Sequence, residues 1–264
     1  MPELLIPLLG ALAYLAAAAV LVRSLQAEQP RTRRVMWLAL PAIALHAATH
    51  ALGWSRLHGP DLHFFAALSL VALGMSALST LAAVTQRVQA LGVIVYPLAA
   101  LLMMLYHFAG HGSTQALDWR LQLHAWLALM AYATLAVSAL LALMLWFQER
   151  ALRRRQLHGW LRALPPLVQL EELLFRSLGA SFVLLTLALL TGVMFVENLL
   201  DQHLWHKTVL SVLSWIVLGV LLFGRWRFGW RGPRAVKLTL TSMALLLLAF
   251  FGSKYVLEML LHSS

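Results

Sequence analysis

The side chains best suited to chemistry in this sequence are its imidazoles, of which the chain has 11. His46 and His50 are four residues apart, as are His107 and His111, and this spacing places each pair on one face of a helix. His124 stands near the start of the apolar stretch LHAWLALMAYATLA. Imidazole is a common ligand of iron, copper and zinc, and two imidazoles often hold haem iron. We therefore consider His124 and His46 first as metal ligands.

Each histidine also has an ordinary explanation. A histidine in a loop can simply bond water or lipid headgroups, and His46 and His124 can be structural hydrogen-bonding residues as readily as ligands. Because an ionisable group inside an apolar span is costly and is commonly functional, both interpretations are kept for these two residues. No Asp or Glu completes an HExxH pattern, so a zinc peptidase is not favoured.

A second polar cluster lies in the stretch FVENLLDQHLWHKTVLSVLSW. Its polar and aromatic members within about three helical turns are Glu197, Asp201, His203, Trp205, His206 and Lys207. Carboxylates beside imidazoles can orient a ligating ring or carry acid–base chemistry, and they can equally form a solvated loop with local ion pairs. Trp126 and Trp205 are possible platforms for a flat cofactor, although aromatic residues near span ends are also typical of the membrane interface. Glu171 and Glu172, one turn before Arg176, are interpreted as a helix-start ion pair.

The elements that must position these residues are membrane helices. The chain is 61% hydrophobic and only 11% charged, with a mean hydropathy of +0.80, which excludes an ordinary soluble domain. A bilayer core requires roughly 20 apolar residues of helix. On that measure we predict eight spans, at about 4–22, 35–53, 63–84, 91–109, 122–147, 174–197, 206–224 and 236–257. The polar segment 148–169 is predicted to form a short surface helix that breaks at Pro165–Pro166, and there is no cysteine for a disulfide or a thiolate site.

The basic residues divide unevenly between alternate loops. One side has Arg23, Arg31, Arg33, Arg34, Arg87, Arg150, Arg153, Arg154, Arg155, Arg162, Arg176, Arg225, Arg227, Arg231, Arg234 and Lys237. The other side has Arg56, Arg120, Lys207 and Lys254. The positive-inside rule therefore places both termini outside. The net charge of +10 is then a topology signal with some attraction to anionic lipid, and nucleic acid is not needed to explain it.

With this orientation, ten of the 11 histidines lie in outer loops or in the outer half of a span. They are His46, His50, His58, His63, His107, His111, His124, His203, His206 and His262. Only His158 lies on the inner side. The outer face is therefore the predicted location of any metal or haem site.

The second half of the chain resembles the cytochrome c assembly transmembrane superfamily (CcsA and CcmC), and in particular its short HemX/YpjD-like branch. The matching stretches are LHAWLALMAYATLAVSALLALML from residue 123, PPLVQLEELLFRSLGASFVLLTLALLTGVMFVEN from 165, HKTVLSVLSWIV from 206, GWRG from 229 and LAFFGSKYVLEMLL from 248. The resemblance covers residues 120–264, and it extends to 1–119 through the number of spans and His46. It implies one membrane domain, 1–264, with four N-terminal helices in 1–119 and the assembly-type helices in 120–264.

The resemblance also implies a bacterial inner-membrane protein that carries haem to the outer face, with two histidine ligands flanking a tryptophan-rich outer loop. By motif, His124 corresponds to the first ligand and His262 to the second. The loop departs from the family pattern, because it has only Trp205 and Trp215 and no Asp-Pro. A further intramembrane histidine of some members, expected near 223–225, is also missing. These departures count against the complete activity of joining haem to a cytochrome.

The leading hypothesis is an all-α integral membrane protein of eight helices that binds b-type haem non-covalently near its outer face. His124 is one axial ligand, with His46, His206 or His262 as the other, while Trp126, Tyr132 and Trp205 line the site. It would bind and deliver haem, with no bond made or broken by its own side chains. The alternative is a HemX-like regulator or scaffold whose basic loop, 148–162, binds a haem-synthesis enzyme or a cytochrome assembly factor. A transporter is disfavoured, because no repeat or interrupted helix pair marks a midplane site.

Overall fold

The chain was examined as a computed structural model, which describes residues 2–27, 32–57, 59–85, 88–109, 118–154, 165–195 and 202–252. The described residues form helices and no strand. The helices are α1 (Pro2–Gln26), α2 (Thr32–Leu57), α3 (Phe64–Thr85), α4 (Leu91–Phe108), α5 (Trp119–Arg153), α6 (Leu167–Phe195), α7 (Gln202–Phe228) and α8 (Pro233–Leu247). A π-helical turn, Leu248–Gly252, follows α8 directly.

All eight helices are long and apolar enough to cross a membrane, which confirms the all-α class and the eight predicted spans. Helix formation satisfies every backbone N–H and C=O within the segment itself, and the hydrocarbon core offers no water to do so. Most boundaries lie within a few residues of those predicted. The larger differences are at α5, α6 and α8. Helix α5 continues to Arg153, beyond the predicted end of its span at residue 147, and α6 begins at Leu167, before the predicted start at 174. Residues 148–153 and 167–169 thus belong to these two helices rather than to the separate surface helix that was predicted. Helix α8 ends at Leu247, before the predicted end at 257. The sides on which the two termini lie stay a prediction.

The chain divides into two compact units. The first comprises 1–116 and 148–170, and the second comprises 117–147 and 171–264. The boundary between residues 116 and 117 is close to the division between the N-terminal and assembly-like helices that the sequence suggested. The single membrane domain stays a prediction, and each unit is described by itself.

In the first unit, α1 packs against α2 and α4, and α3 packs against α4. Many of the residues at these contacts are small, and Ala17, Ala39, Ala42 and Ala99 are completely buried. Small side chains allow membrane helices to approach closely, and the resulting van der Waals contact replaces the hydrophobic driving force that a bilayer does not supply. This unit also contains large polar rings in its interior, and Tyr14, Tyr96 and Tyr106 are each almost completely buried.

In the second unit, hydroxyl groups join neighbouring helices. The Ser138 hydroxyl on α5 donates to Ser177 on α6 at 2.7 Å, and Thr134 pairs with Ser181 at 2.9 Å on the same two helices. Ser214 on α7 pairs with Ser242 on α8 at 2.7 Å. Each hydroxyl group thus has a hydrogen-bond partner on the neighbouring helix. In the apolar interior of a membrane protein, a polar group without such a partner would be costly.

The connection between α7 and α8 is the short turn 229–232, at the end of the basic stretch GRWRFGWRG. Gly229 and Gly232 have φ values of 65° and 59°, which glycine adopts without steric cost. Gly224 is needed for a different reason, because a Cβ atom there would lie 2.3 Å from the Trp230 ring. The ring thus folds back over the end of α7 and closes the turn.

Candidate functional site

His124 lies in the second turn of α5 and points toward α6. Its Nδ1 is 2.9 Å from the carbonyl oxygen of Ala188 and 3.3 Å from the hydroxyl oxygen of Thr191. A carbonyl can only accept a hydrogen bond, so Nδ1 carries the proton and donates it to Ala188. This bond fixes the neutral tautomer in which Nε2 has the free lone pair.

The His124 ring rests on Gly192 of α6. A Cβ atom at residue 192 would lie 3.1 Å from Cε1 of the ring, closer than ordinary van der Waals contact. The absence of a side chain at residue 192 therefore provides the space that the half-buried imidazole occupies. Ala188, Thr191 and Gly192 form one surface of α6 at spacings of three and four residues, and together they set the orientation of the ring.

The chemistry of this imidazole fits an axial ligand of haem iron. Ligating histidines usually donate the proton of the second ring nitrogen to a carbonyl or carboxylate, which orients the ring and raises the basicity of the ligand. Ala188 supplies that acceptor for His124. Within the residues that the structure describes, Nε2 has no hydrogen-bond partner, so the atom that would coordinate iron is not occupied by another contact.

The other predicted haem-site residues of the second unit have different surroundings. Tyr132 is buried, and its hydroxyl donates to the Leu246 carbonyl of α8 at 2.5 Å. Tyr132 thus joins α5 to the last turn of α8, just before the π-helical turn. Trp126 is half-buried on α5, while Trp205 and His206 are exposed at the start of α7. A haem-lining role for these residues stays a prediction.

His46 lies in the first unit and is completely buried. Its Nε2 is 2.8 Å from the Ser69 hydroxyl and its Nδ1 is 3.3 Å from the Tyr14 hydroxyl. Both ring nitrogens are therefore engaged by side chains of neighbouring helices. This arrangement corresponds to the structural hydrogen-bonding interpretation of His46, since a ligand needs one nitrogen for the metal.

Several predictions fall on residues outside the described part of the chain. They concern His58, His111, His158, Glu197, Asp201, His262 and the loop residues 155–162. The side chain of His203 also lies outside the described part. Across the described ranges, no three His, Asp or Glu side chains gather as a metal site, and such a cluster is not what a haem with two axial ligands requires.

Sequence reasoning did not identify the α6 residues that hold His124. In the stretch LLTGVMFVEN, Thr191 and Gly192 carry no ionisable or metal-ligating group, so a search for chemistry-bearing side chains passes over them. A signal was available, because a threonine followed by glycine in an apolar span indicates a close contact with a neighbouring helix. The partner on α5 could not be read from that signal, because residues 124 and 188 are 64 apart in the chain.

Comparison with known proteins agrees with the family resemblance seen in the sequence. The family model described as "Cytochrome C assembly protein" matches residues 61–261, a range that begins well before the resemblance in the second half. The "Inner membrane protein YpjD" of Escherichia coli K12 is 33% identical over 261 residues, covering 96% of this chain and 98% of that protein. No solved structure is significantly similar.

Two other relatives match about half of the chain. One is the "Uncharacterized 28.8 kDa protein in nifR3-like 5'region" of Azospirillum brasilense, which is 38% identical over 143 residues and 53% of each chain. The other is the "Protein HemX" of Brevibacillus brevis, which is 28% identical over 131 residues, covering 49% of this chain and 48% of that protein.

Proposed function

Because the chain belongs to the cytochrome c assembly family of membrane proteins, we propose that it binds and delivers haem in the bacterial inner membrane. The haem is b-type, held non-covalently near the outer face, with His124 as one axial ligand. The location follows from the likeness to an inner-membrane protein of Escherichia coli and from the eight apolar helices.

The observation that carries this proposal is the hydrogen bond from Nδ1 of His124 to the Ala188 carbonyl. This hydrogen bond fixes the tautomer and orients Nε2. Because the ring is already held in place, coordination of iron does not have to restrict its rotation. Burial against Gly192 excludes water from one side of the imidazole. A half-buried ring at the mouth of a membrane helix can thus present its lone pair to a cofactor lying at the interface.

For the second axial ligand we propose His206 or His262. His206 is exposed at the start of α7, so its ring is accessible to a cofactor. His46 is not assigned, because both its nitrogens already have partners in the first unit. Trp126 and Trp205 supply aromatic surface for the flat macrocycle. Tyr132 holds α5 in place through its hydrogen bond to α8. Bound haem supplies the iron, and the protein contributes ligation, burial and orientation.

The test is the visible absorbance of the full chain purified in detergent from cells supplied with haem. A haem band is expected in the parent protein and its loss in His124→Ala. The matched control is His107→Ala, a histidine in the last turn of α4 that belongs to the first unit and not to the candidate site. A colourless parent protein that also takes up no added haemin would refute haem binding, and an unchanged band in His124→Ala would refute the ligand.

A second candidate function is a regulator or scaffold that binds a haem-synthesis enzyme or a cytochrome assembly factor. The match to a protein named HemX favours it, together with the basic segment 148–162 at the end of α5. The combined variant Arg150→Glu and Arg153→Glu separates the two functions. The regulator predicts altered cellular tetrapyrrole levels with an unchanged haem band in the purified protein, whereas the haem-binding function alone predicts no change in either.

A further inference from the structure

The first unit contains a file of polar side chains that the proposed haem site does not use. Three hydroxyl residues of α3 lie along one face of that helix, at spacings of seven and four residues: Ser69, Ser76 and Thr80. All three are buried. Polar residues inside a membrane helix are costly and commonly mark ion pathways or proton relays. The contacts of Ser69, Ser76 and Thr80 indicate which of these two functions the stripe of hydroxyl groups on α3 fits.

At one end of α3, Ser69 bridges two imidazoles of α2. Its hydroxyl oxygen is 2.8 Å from Nε2 of His46 and 3.0 Å from Nε2 of His50. A serine has one proton, so between two neutral imidazoles it donates to one nitrogen and accepts from the other. If His50 gives its Nε2 proton to Ser69 while Ser69 gives its own to Nε2 of His46, one proton has moved from His50 to His46 and the serine is unchanged.

The file continues inward from His46. Nδ1 of His46 is 3.3 Å from the Tyr14 hydroxyl. The next buried hydroxyl of the stripe on α3 is that of Ser76, which donates to the Ala72 carbonyl at 2.8 Å, so transfer from Tyr14 to Ser76 requires a water molecule. When His46 takes a proton at Nε2, it can give its Nδ1 proton to the Tyr14 oxygen, and Tyr14 can then give its own hydroxyl proton onward. Ser69, His46 and Tyr14 can thus each accept one proton and donate another.

One turn further along α3, Thr80 pairs with the Tyr96 hydroxyl at 3.0 Å. Thr80 and Tyr96 line a cavity of about 10 Å³ whose wall also includes the buried residue Gln89. A cavity of about 10–15 Å³ can hold one water molecule when polar groups surround it. The cavity lies at the end of the unit that carries the loop between α3 and α4, which the charge bias places inside.

The opposite end begins at a carboxylate. Asp61 is buried, and its Oδ1 is 2.6 Å from Nδ1 of His63. Nε2 of His63 is buried without a hydrogen-bond partner among the described residues, which is typical of a position that a water molecule occupies. Tyr106 lies between the two histidines, with ring centroids 5.8 Å from His63 and 4.5 Å from His50.

We propose that the first unit conducts protons along this file, from Asp61 and His63 through His50, Ser69, His46, Tyr14, Ser76, Thr80 and Tyr96 to the cavity beside Gln89. The 22 residues of α3 correspond to about 33 Å of helix, comparable with the thickness of the hydrocarbon core. Three steps, from His63 to His50, from Tyr14 to Ser76 and from Ser76 to Thr80, require a water molecule. Hydroxyl and imidazole groups pass protons by exchanging hydrogen bonds, so we expect the path to carry no metal cation.

The experiment uses the full chain reconstituted into lipid vesicles that contain a pH-sensitive dye, with a potassium gradient and valinomycin to drive proton entry. The parent protein is expected to acidify the vesicle interior faster than protein-free vesicles do. Ser69→Ala is expected to return the rate to that of protein-free vesicles, and so is Tyr14→Phe, which retains the ring and loses the hydroxyl. A sodium-sensitive dye should report no sodium entry in any sample.

The matched control is Ser214→Ala, which removes another completely buried serine hydroxyl that joins two helices, but in the second unit. It should conduct like the parent protein. A parent rate equal to that of protein-free vesicles would overturn the proposal. So would equal rates in Ser69→Ala and the parent, since that would make the serine a packing contact only. Neither outcome affects haem binding by His124, which is read separately from the absorbance band.

Discussion

His124 and His46 share a residue type and an apolar setting, but His124 is half-buried and His46 is completely buried. They also differ in how many of their ring nitrogens have hydrogen-bond partners. His124 donates through Nδ1 to a backbone carbonyl and has Nε2 available. His46 is held at both nitrogens by hydroxyl groups. A coordinating imidazole needs one free nitrogen and a proton-relaying imidazole needs partners at both, and these contacts are the observations on which the two proposed roles rest.

At the residue scale, Gly192→Ala tests whether the close contact between Gly192 and the His124 ring sets the orientation of that ring. The added Cβ would lie 3.1 Å from Cε1 of the imidazole, so the ring must move by a few tenths of an ångström and its bond to Ala188 weakens. Loss of such orienting contacts typically lowers metal affinity by about 10-fold or more. We expect a comparable loss of haem affinity, measured by titrating the purified protein with haemin.

The control for this variant is Gly179→Ala on the same helix, where an added Cβ would meet no atom within 4 Å. It should bind haemin like the parent protein. Equal affinity of the two alanine variants would contradict the role given to Gly192.

At the scale of elements, the start of α6 is tied to the end of α7 by an ion pair. Glu171 accepts from Arg225 at 2.5 Å, and the Arg225 guanidinium also lies 4.6 Å from the centre of the Phe175 ring. The predicted helix-start pair is confirmed for Glu172 and Arg176, whose side chains are both exposed. Its neighbour Glu171 instead faces the second unit's interior and reaches another helix.

Glu171→Gln is expected to destabilise the protein by about 1–3 kcal/mol, because Arg225 would lose its carboxylate where Glu171 is only 10% exposed. Glu172→Gln breaks an exposed i, i+4 pair and should cost less than about 1 kcal/mol. Both values are measured by chemical unfolding in detergent. If the two variants lose the same stability, the Glu171–Arg225 pair does not hold α6 to α7.

At the scale of the whole molecule, orientation in the bilayer depends on the distribution of basic residues. Sixteen lysines and arginines fall on one predicted side and four on the other. Short loops rich in Lys and Arg stay on the cytoplasmic side. The placement of His124 and Asp61 near the outer face depends on this orientation.

The chain contains no cysteine, so single cysteines can report its topology without background labelling. Asp118→Cys, just before α5, should react with a membrane-impermeant maleimide in intact spheroplasts. Arg231→Cys, in the turn between α7 and α8, should react only after the membrane is made permeable. Both residues are exposed, so accessibility within the protein does not distinguish them. The opposite labelling pattern would invert the topology and place the haem site on the inner side.

The sequence by itself determined the elements of this protein and its family. Eight apolar spans were predicted and eight were found, because the free energy of placing a segment in a bilayer depends on its own composition and length. His124 is proposed from the sequence in the same way, as an imidazole near the start of an apolar run within a family pattern, and its role as a ligand stays a prediction.

The contacts of each site were decided by tertiary structure. His124 meets Ala188 on another helix, Ser69 bridges two histidines of a different helix, and Glu171 pairs with Arg225 rather than with its neighbours in sequence. Hydropathy and charge describe each helix alone, whereas these pairings depend on which helix faces share an interface. The rotation of packed helices is set by many small van der Waals and hydroxyl contacts together, and no local pattern records their sum.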